Sequence, residues 1–195
     1  MAESCKKTEA LFRLVEMSKG RSLERPFVIA IDGRSASGKT TFAKQLADLC
    51  GASVIHTDDF FRPRNSKGEL ELSEFEGNFD IERFKNEIVD NLAFEKNFSY
   101  GVFDCKSGAI TERKIISPCS VYIIEGAYCL CSTLGDYADI KLFFDISPEK
   151  QKERILFRNG EKALESFLSV WIPAEERYIS HYNVKNQCDF IITEE

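Results

Sequence analysis

The run Gly33-Arg34-Ser35-Ala36-Ser37-Gly38-Lys39-Thr40 has the residue types and spacing of a backbone cradle for phosphate. Gly33 and Gly38 let the chain fold around phosphate oxygens where a Cβ would interfere. Lys39 would reach the β- and γ-phosphates of a nucleoside triphosphate, and the Thr40 hydroxyl would ligate Mg²⁺. With Thr41 added at the helix start, the expected nucleotide-binding set is Gly33, Arg34, Ser35, Ala36, Ser37, Gly38, Lys39, Thr40 and Thr41.

Phosphoryl transfer also needs a group to take the acceptor's proton, a seat for the metal, and positive charge on the migrating phosphoryl. Asp58 and Asp59 follow a short apolar run, and one of them could accept a hydroxyl proton or hold a magnesium-bound water. The plainer role for either is a turn or cap. Glu125 directly follows Val121-Tyr122-Ile123-Ile124, where a carboxylate could take Mg²⁺ through water. Arg154 and Arg158 are four apart and share a helical face, so both could close over donor phosphates. Their acidic and basic neighbours would equally suit a solvated surface.

These residues need elements to place them. Phe27-Val28-Ile29-Ala30-Ile31 reads as a buried strand before the glycine turn, and Phe42 to Ala47 has helical spacing after it. The spacing predicts an opening amphipathic helix on Ala10, Leu11, Leu14 and Val15, inside an N-terminal segment of residues 1–24. Ala52 to His56 reads as a second strand. Arg62 to Gly77 reads as a mobile polar loop, and Asp80 as the N-cap of a helix over Ile81 to Leu92. Phe98 to Phe103 and Ala109 to Ile115 suggest a hairpin joined through Lys106-Ser107-Gly108. Val121 to Ile124, Ile140 to Phe144 and Phe190 to Ile192 complete a set of buried strands separated by helices, as in a parallel sheet covered on both faces. Ser147-Pro148 opens the arginine helix, a second helix runs from Glu161 to about Trp171, and Pro173 is expected to break it.

The 195 residues carry a net charge of −6, against a surface that tracks nucleic acid. No apolar run approaches membrane-spanning length. The seven cysteines include no C-x-x-C pair, which fits unpaired thiols in a reducing cytosol and a cytoplasmic location. No repeat or linker interrupts residues 1–195, so one domain is expected, with a homo-oligomer left open.

Taken in order, the phosphate loop, Thr57-Asp58-Asp59-Phe60-Phe61, Asn78-Phe79-Asp80, Val102-Phe103-Asp104, Ile123-Ile124-Glu125-Gly126 and Leu142-Phe143-Phe144-Asp145 resemble the uridine kinase and phosphoribulokinase family. The likeness extends from about Phe27 to Thr193. It implies an α/β, three-layer P-loop NTPase fold, with a central parallel sheet of about five strands and a helical lid near residues 150–175. It also implies an ATP- and Mg²⁺-dependent kinase acting on a small-molecule hydroxyl. By that resemblance Asp58 is the general base, Asp80 binds ribose hydroxyls, Phe103 stacks on a base, and Arg154 and Arg158 belong to the lid. Such uridine kinases usually have tyrosine at the position of Phe103 and histidine near Gly108. Phe103 offers no hydroxyl and Gly108 no side chain, so the resemblance makes uridine or cytidine the first acceptor expected but these two positions depart from it. A sugar, vitamin or sugar phosphate is the alternative, as is a nucleotide-binding regulator without turnover. The guanine-reading N-K-x-D element is absent.

Overall fold

The computed structural model describes residues 2–24, 26–93 and 96–193. Its centre is a parallel sheet built from β1 (Glu3–Cys5), β2 (Phe27–Gly33), β3 (Ser53–His56), β6 (Val121–Glu125), β7 (Ile140–Phe144) and β8 (Phe190–Ile192). The spatial order is β1-β8-β7-β2-β6-β3. β4 (Phe98–Asp104) and β5 (Ala109–Ile116) form a separate antiparallel hairpin, as their spacing indicated.

The alternation along β2 explains why its sequence is apolar from Phe27 to Ile31. Phe27, Ile29 and Ile31 pack into one core with Leu14, Phe42, Leu46 and Phe144. Val28 and Ala30 face a second core with Phe84, Tyr100, Phe143 and Tyr178. Helices α1 (Lys7–Ser18) and α2 (Lys39–Cys50) supply residues to the first core. The hairpin, α3 (Ile81–Glu87) and α6 (Ile172–His181) supply the second. The result is three layers, helix–sheet–helix.

The sheet has six strands rather than about five. The extra one, β1, lies at an edge and pairs with β8 through Glu3↔Phe190 and Cys5↔Ile192. Only Cys5 of its three residues is buried. A short edge strand held by backbone bonds leaves almost no side-chain pattern to read.

The arginine helix α4 (Pro148–Asn159) begins as expected: Ser147 Oγ accepts from the Lys150 N–H at 3.3 Å, with proline in the first turn. After it come α5 (Glu161–Ser166), a π-helical turn at Phe167–Trp171, and α6. Pro173 therefore does not end the helical region, contrary to the sequence expectation. The wider π turn precedes it, and the proline occupies the first turn of α6, where its missing N–H costs little. A last short helix, α7 (Val184–Gln187), leads into β8.

Candidate active site

β2 lies between β6 and β7, with Ile31 in register with Glu125 and Gly33 with Phe144. The phosphate loop therefore leaves the middle of the sheet at its C-terminal edge, where ligands bind in open α/β sheets. Gly33 has φ +138°, and a Cβ there would stand 2.2 Å from the Phe144 carbonyl oxygen. Its lack of a side chain serves strand crowding rather than room for phosphate. Gly38 (φ +97°) and Ala36 (φ +62°) turn the loop into α2, whose first-turn N–H groups have no intrahelical acceptor. Ser37 Oγ is buried there with no hydrogen-bond partner. The Lys39 ammonium crosses the loop and donates to the carbonyls of Gly33 (2.7 Å) and Arg34 (2.9 Å).

The residues Ser35 to Thr41 line a cleft of about 980 Å³, together with Asp58, Glu125, Arg154 and Arg158. Gly33 and Arg34 of the expected nucleotide set do not line it, and Arg34 is turned elsewhere. Its N–H donates to the Phe144 carbonyl, and its guanidinium turns away to Glu176 (2.6 and 2.9 Å) and Asp145. The Ser35 N–H is held by Glu175.

Thr57–Phe60 forms a 3₁₀ turn at the end of β3, which sends adjacent side chains in different directions. Asp59 points into the protein, where its Oδ2 accepts from Tyr100 (3.1 Å) and Lys114 (2.9 Å). Asp58 is solvent-exposed and faces the cleft. Crowding by nearby protein atoms, followed by the charge of Glu125, pushes its carboxyl upward, and Lys39 and His56 oppose the shift; contact with solvent keeps the effect moderate.

Glu125, at the tip of β6, is buried, and its Oε1 accepts from Thr40 Oγ1 at 3.1 Å. The same oxygen lies 2.5 Å from His56 Nδ1, a contact that raises the imidazole pKa against its burial. Gly126 allows this packing: a Cβ there would lie 1.9 Å from Thr57 Oγ1. Thr40, Glu125 and unpartnered Ser37 Oγ suit a magnesium–triphosphate pair. Magnesium is commonly bound by one or two carboxylates together with substrate phosphates. Among the described residues no cluster of three His, Cys, Asp or Glu side chains could hold an ion unaided.

The two expected lid arginines behave differently. Arg154 Nη1 donates to the Ala36 carbonyl at 3.1 Å, which places its guanidinium over the loop. Arg158 lines the same cleft farther along α4, with its Nε donating to Asn159 Oδ1 at 2.7 Å. Phe157, between them, is 94% exposed and also lines the cleft.

A second cavity of about 380 Å³ adjoins Asp58 and is walled by Phe61, Phe103, Phe167 and Trp171, with Asn78, Arg64 and Glu175 among its polar groups. Asp58 thus lines both spaces. Phe103 lines this cavity, edge-on to Phe61 at 6.0 Å. Asp80 is not brought into either space. Its carboxylate caps α3, accepting from the Arg83 N–H at 3.1 Å, with the Arg83 guanidinium 3.6 Å away. Over Gly108 lies the Arg64 side chain, whose Cδ would be 3.4 Å from an added Cβ. Sequence reasoning missed Glu175, Phe157 and Arg64; only the exposed aromatic on an otherwise charged helix face gave any signal.

The family model described as "Phosphoribulokinase / Uridine kinase family" matches residues 28–162, more than two thirds of the chain. The chain belongs to that family. It is accordingly a kinase that transfers phosphate to hydroxyl-bearing substrates. Curated relatives include a cytidylate kinase of Pyrobaculum islandicum, 29% identical over 165 residues, covering 80% of this chain and 76% of the relative. A uridine kinase of Ureaplasma parvum serovar 3 is 28% identical over 155 residues, covering 74% of each chain. Among solved structures, one described as a possible uridine kinase from Bacillus stearothermophilus superposes with a TM-score of 0.72, covering 95% of this chain and 98% of that one. At 18% identity that likeness establishes the fold. No helix among the described residues is long and apolar enough to cross a membrane.

Proposed function

We propose that this kinase transfers the γ-phosphoryl group of ATP to a hydroxyl of a small nucleoside-like molecule, with uridine and cytidine the first candidates. One observation carries the reading: Asp58 lines both the phosphate-loop cleft and the aromatic cavity beside it. A carboxylate at that junction can hold an alcohol in the second space while its proton is drawn off. Its raised affinity for protons brings it nearer the strength useful to a general base at neutral pH.

On this reading the amides at the start of α2 and the Lys39 ammonium hold the donor phosphates. Thr40 and, through water, Glu125 would hold magnesium, which when bound neutralises charge on the β- and γ-phosphate oxygens. Arg154 supplies further positive charge above the loop. The Phe157 ring offers a face for the donor's nucleobase. The acceptor oxygen bonds to the γ-phosphorus, its proton passes to Asp58, and ADP leaves. The aromatic walls suit a flat base or the apolar face of a sugar ring.

A second acceptor class is favoured by Arg64. Its cationic side chain occupies space over Gly108, where the nucleoside enzymes' histidine would be expected, and it lines the acceptor cavity. An anionic acceptor such as a sugar phosphate would suit it. A panel of uridine, cytidine, free sugars and sugar phosphates, read by ADP release, tests both. Stimulation by the nucleosides supports the first class; stimulation by phosphorylated acceptors alone replaces it with the second. No stimulation by any acceptor, with Mg-ATP still bound, would favour a nucleotide-binding regulator.

A further inference from the structure

The third residue of the phosphate loop is gripped from two directions. Glu175 of α6 is 5% exposed, and its oxygens accept from the Ser35 N–H at 3.2 and 3.1 Å and from the Ser35 hydroxyl. Gln151 of α4, equally buried, donates to the Ser35 carbonyl at 3.2 Å and to Glu175 Oε2 at 3.4 Å. A loop residue, the arginine helix and the helix after the π turn therefore share one buried hydrogen-bond cluster. The next residue, Glu176, forks onto Arg34, so two consecutive loop residues are tied to two consecutive glutamates.

The arrangement is costly on electrostatic grounds. Burying a carboxylate beside a loop built for anions removes it from water and sets it against the ligand's own charge. Burial indeed pushes the Glu175 carboxyl up, with Lys39 and the Ser35 bonds opposing the shift. What the carboxylate gains is three donors at once: the Ser35 amide, its hydroxyl and the Gln151 amide. It takes one loop N–H out of the anion site and fixes the backbone from which the remaining amides project. It also borders the acceptor cavity, beside Trp171.

We infer that Glu175 is a positioning residue, which acts through Ser35 to hold the phosphate loop in its binding geometry and in register with the helix that carries Arg154. This rests on the reading that the loop holds the donor's phosphates. Small displacements of positioned groups can cost about 10²-fold in rate, so a fixed loop matters to transfer as well as to binding. Glutamine at this position is nearly isosteric but has one acceptor oxygen to meet three donors, so an N–H must face an N–H or a rotated hydroxyl.

The test is the affinity for Mg-ATP, and separately for inorganic tripolyphosphate, in wild type, Glu175→Gln, Ser35→Ala and the double variant, by titration calorimetry. The sign decides between two accounts. Simple loss of a negative charge near the phosphates would tighten both ligands. Positioning weakens both, by about tenfold for Glu175→Gln. Ser35→Ala, which keeps the backbone bond, should weaken them by about threefold in the wild-type background and have almost no further effect when Glu175 is already glutamine. Unchanged or tighter binding in folded Glu175→Gln, or effects that multiply in the double variant, would overturn the inference. If Glu175→Gln does not fold, unaltered affinity in Ser35→Ala overturns it alone. Failure of wild type to bind either ligand would instead overturn the reading of the loop as a phosphate site.

Discussion

Thr40 Oγ1 donates to Glu125 Oε1 across 3.1 Å, joining the start of α2 to the tip of β6. The two residues are 85 positions apart, and the register of β2 against β6 brings them together. A hydroxyl and a carboxylate so paired, at the edge of the loop cleft, suit the magnesium seat proposed above. Glu125→Gln is expected to lower magnesium affinity in the presence of ATP by about 10–100-fold, as loss of an outer-sphere partner typically does. A magnesium titration of activity at fixed ATP reads this directly. An unchanged midpoint would remove Glu125 from the metal seat.

Asp58→Asn should reduce turnover by about 10²–10⁴-fold, the usual contribution of a positioned general base, while leaving Mg-ATP affinity within a small factor of wild type. The pH dependence follows from the direction of the shift. The base works ionised, and its surroundings raise its pKa, so kcat/KM should fall on the acid side at a pH above an ordinary aspartate's pKa. That limb should vanish in Asp58→Asn.

The two arginines of α4 should separate in mutagenesis. Arg154 reaches the Ala36 carbonyl, whereas Arg158 is engaged with its neighbour Asn159. Arg154→Ala is expected to lower kcat by about 10²-fold, in the range seen when one preorganised charge-stabilising group is removed. Arg158→Ala should cost much less. Steady-state kinetics on both variants would show a contradiction as equal losses.

Gly126→Ala tests packing rather than chemistry. Its Cβ would overlap Thr57 Oγ1 at 1.9 Å, and its φ of +134° is one that side chains rarely adopt. Overpacking and backbone strain of this kind cost about 1–3 kcal/mol each. Denaturant unfolding should show a clearly lowered midpoint, whereas Gly135→Ala, with open space around it, should lose less.

The part of the site legible in the sequence is the part that is contiguous. The loop motif, its preceding strand and its following helix are neighbours along the chain, and their patterns agree. Glu125 was legible because it ends a wholly apolar strand. Residue types alone left Asp58 and Asp59 open, since adjacent residues differ only in the direction a 3₁₀ turn gives them, and only the family resemblance singled out Asp58. Glu175 lay beyond reach for another reason: it meets Ser35 across 140 residues of chain, and nothing local marks it. β1 escaped because three mostly exposed residues at a sheet edge carry no periodicity. Pro173 misled because a proline in a helix's first turn reads the same as one that ends a helix.

Central to this account is a single carboxylate serving two adjoining cavities. The most direct measurement is acceptor-dependent ADP release by wild type and Asp58→Asn, alongside Mg-ATP affinity for each. The expected result is release stimulated by a nucleoside in wild type, almost none in Asp58→Asn, and similar ATP binding in both. Acceptor-stimulated release in Asp58→Asn at the wild-type rate would contradict it.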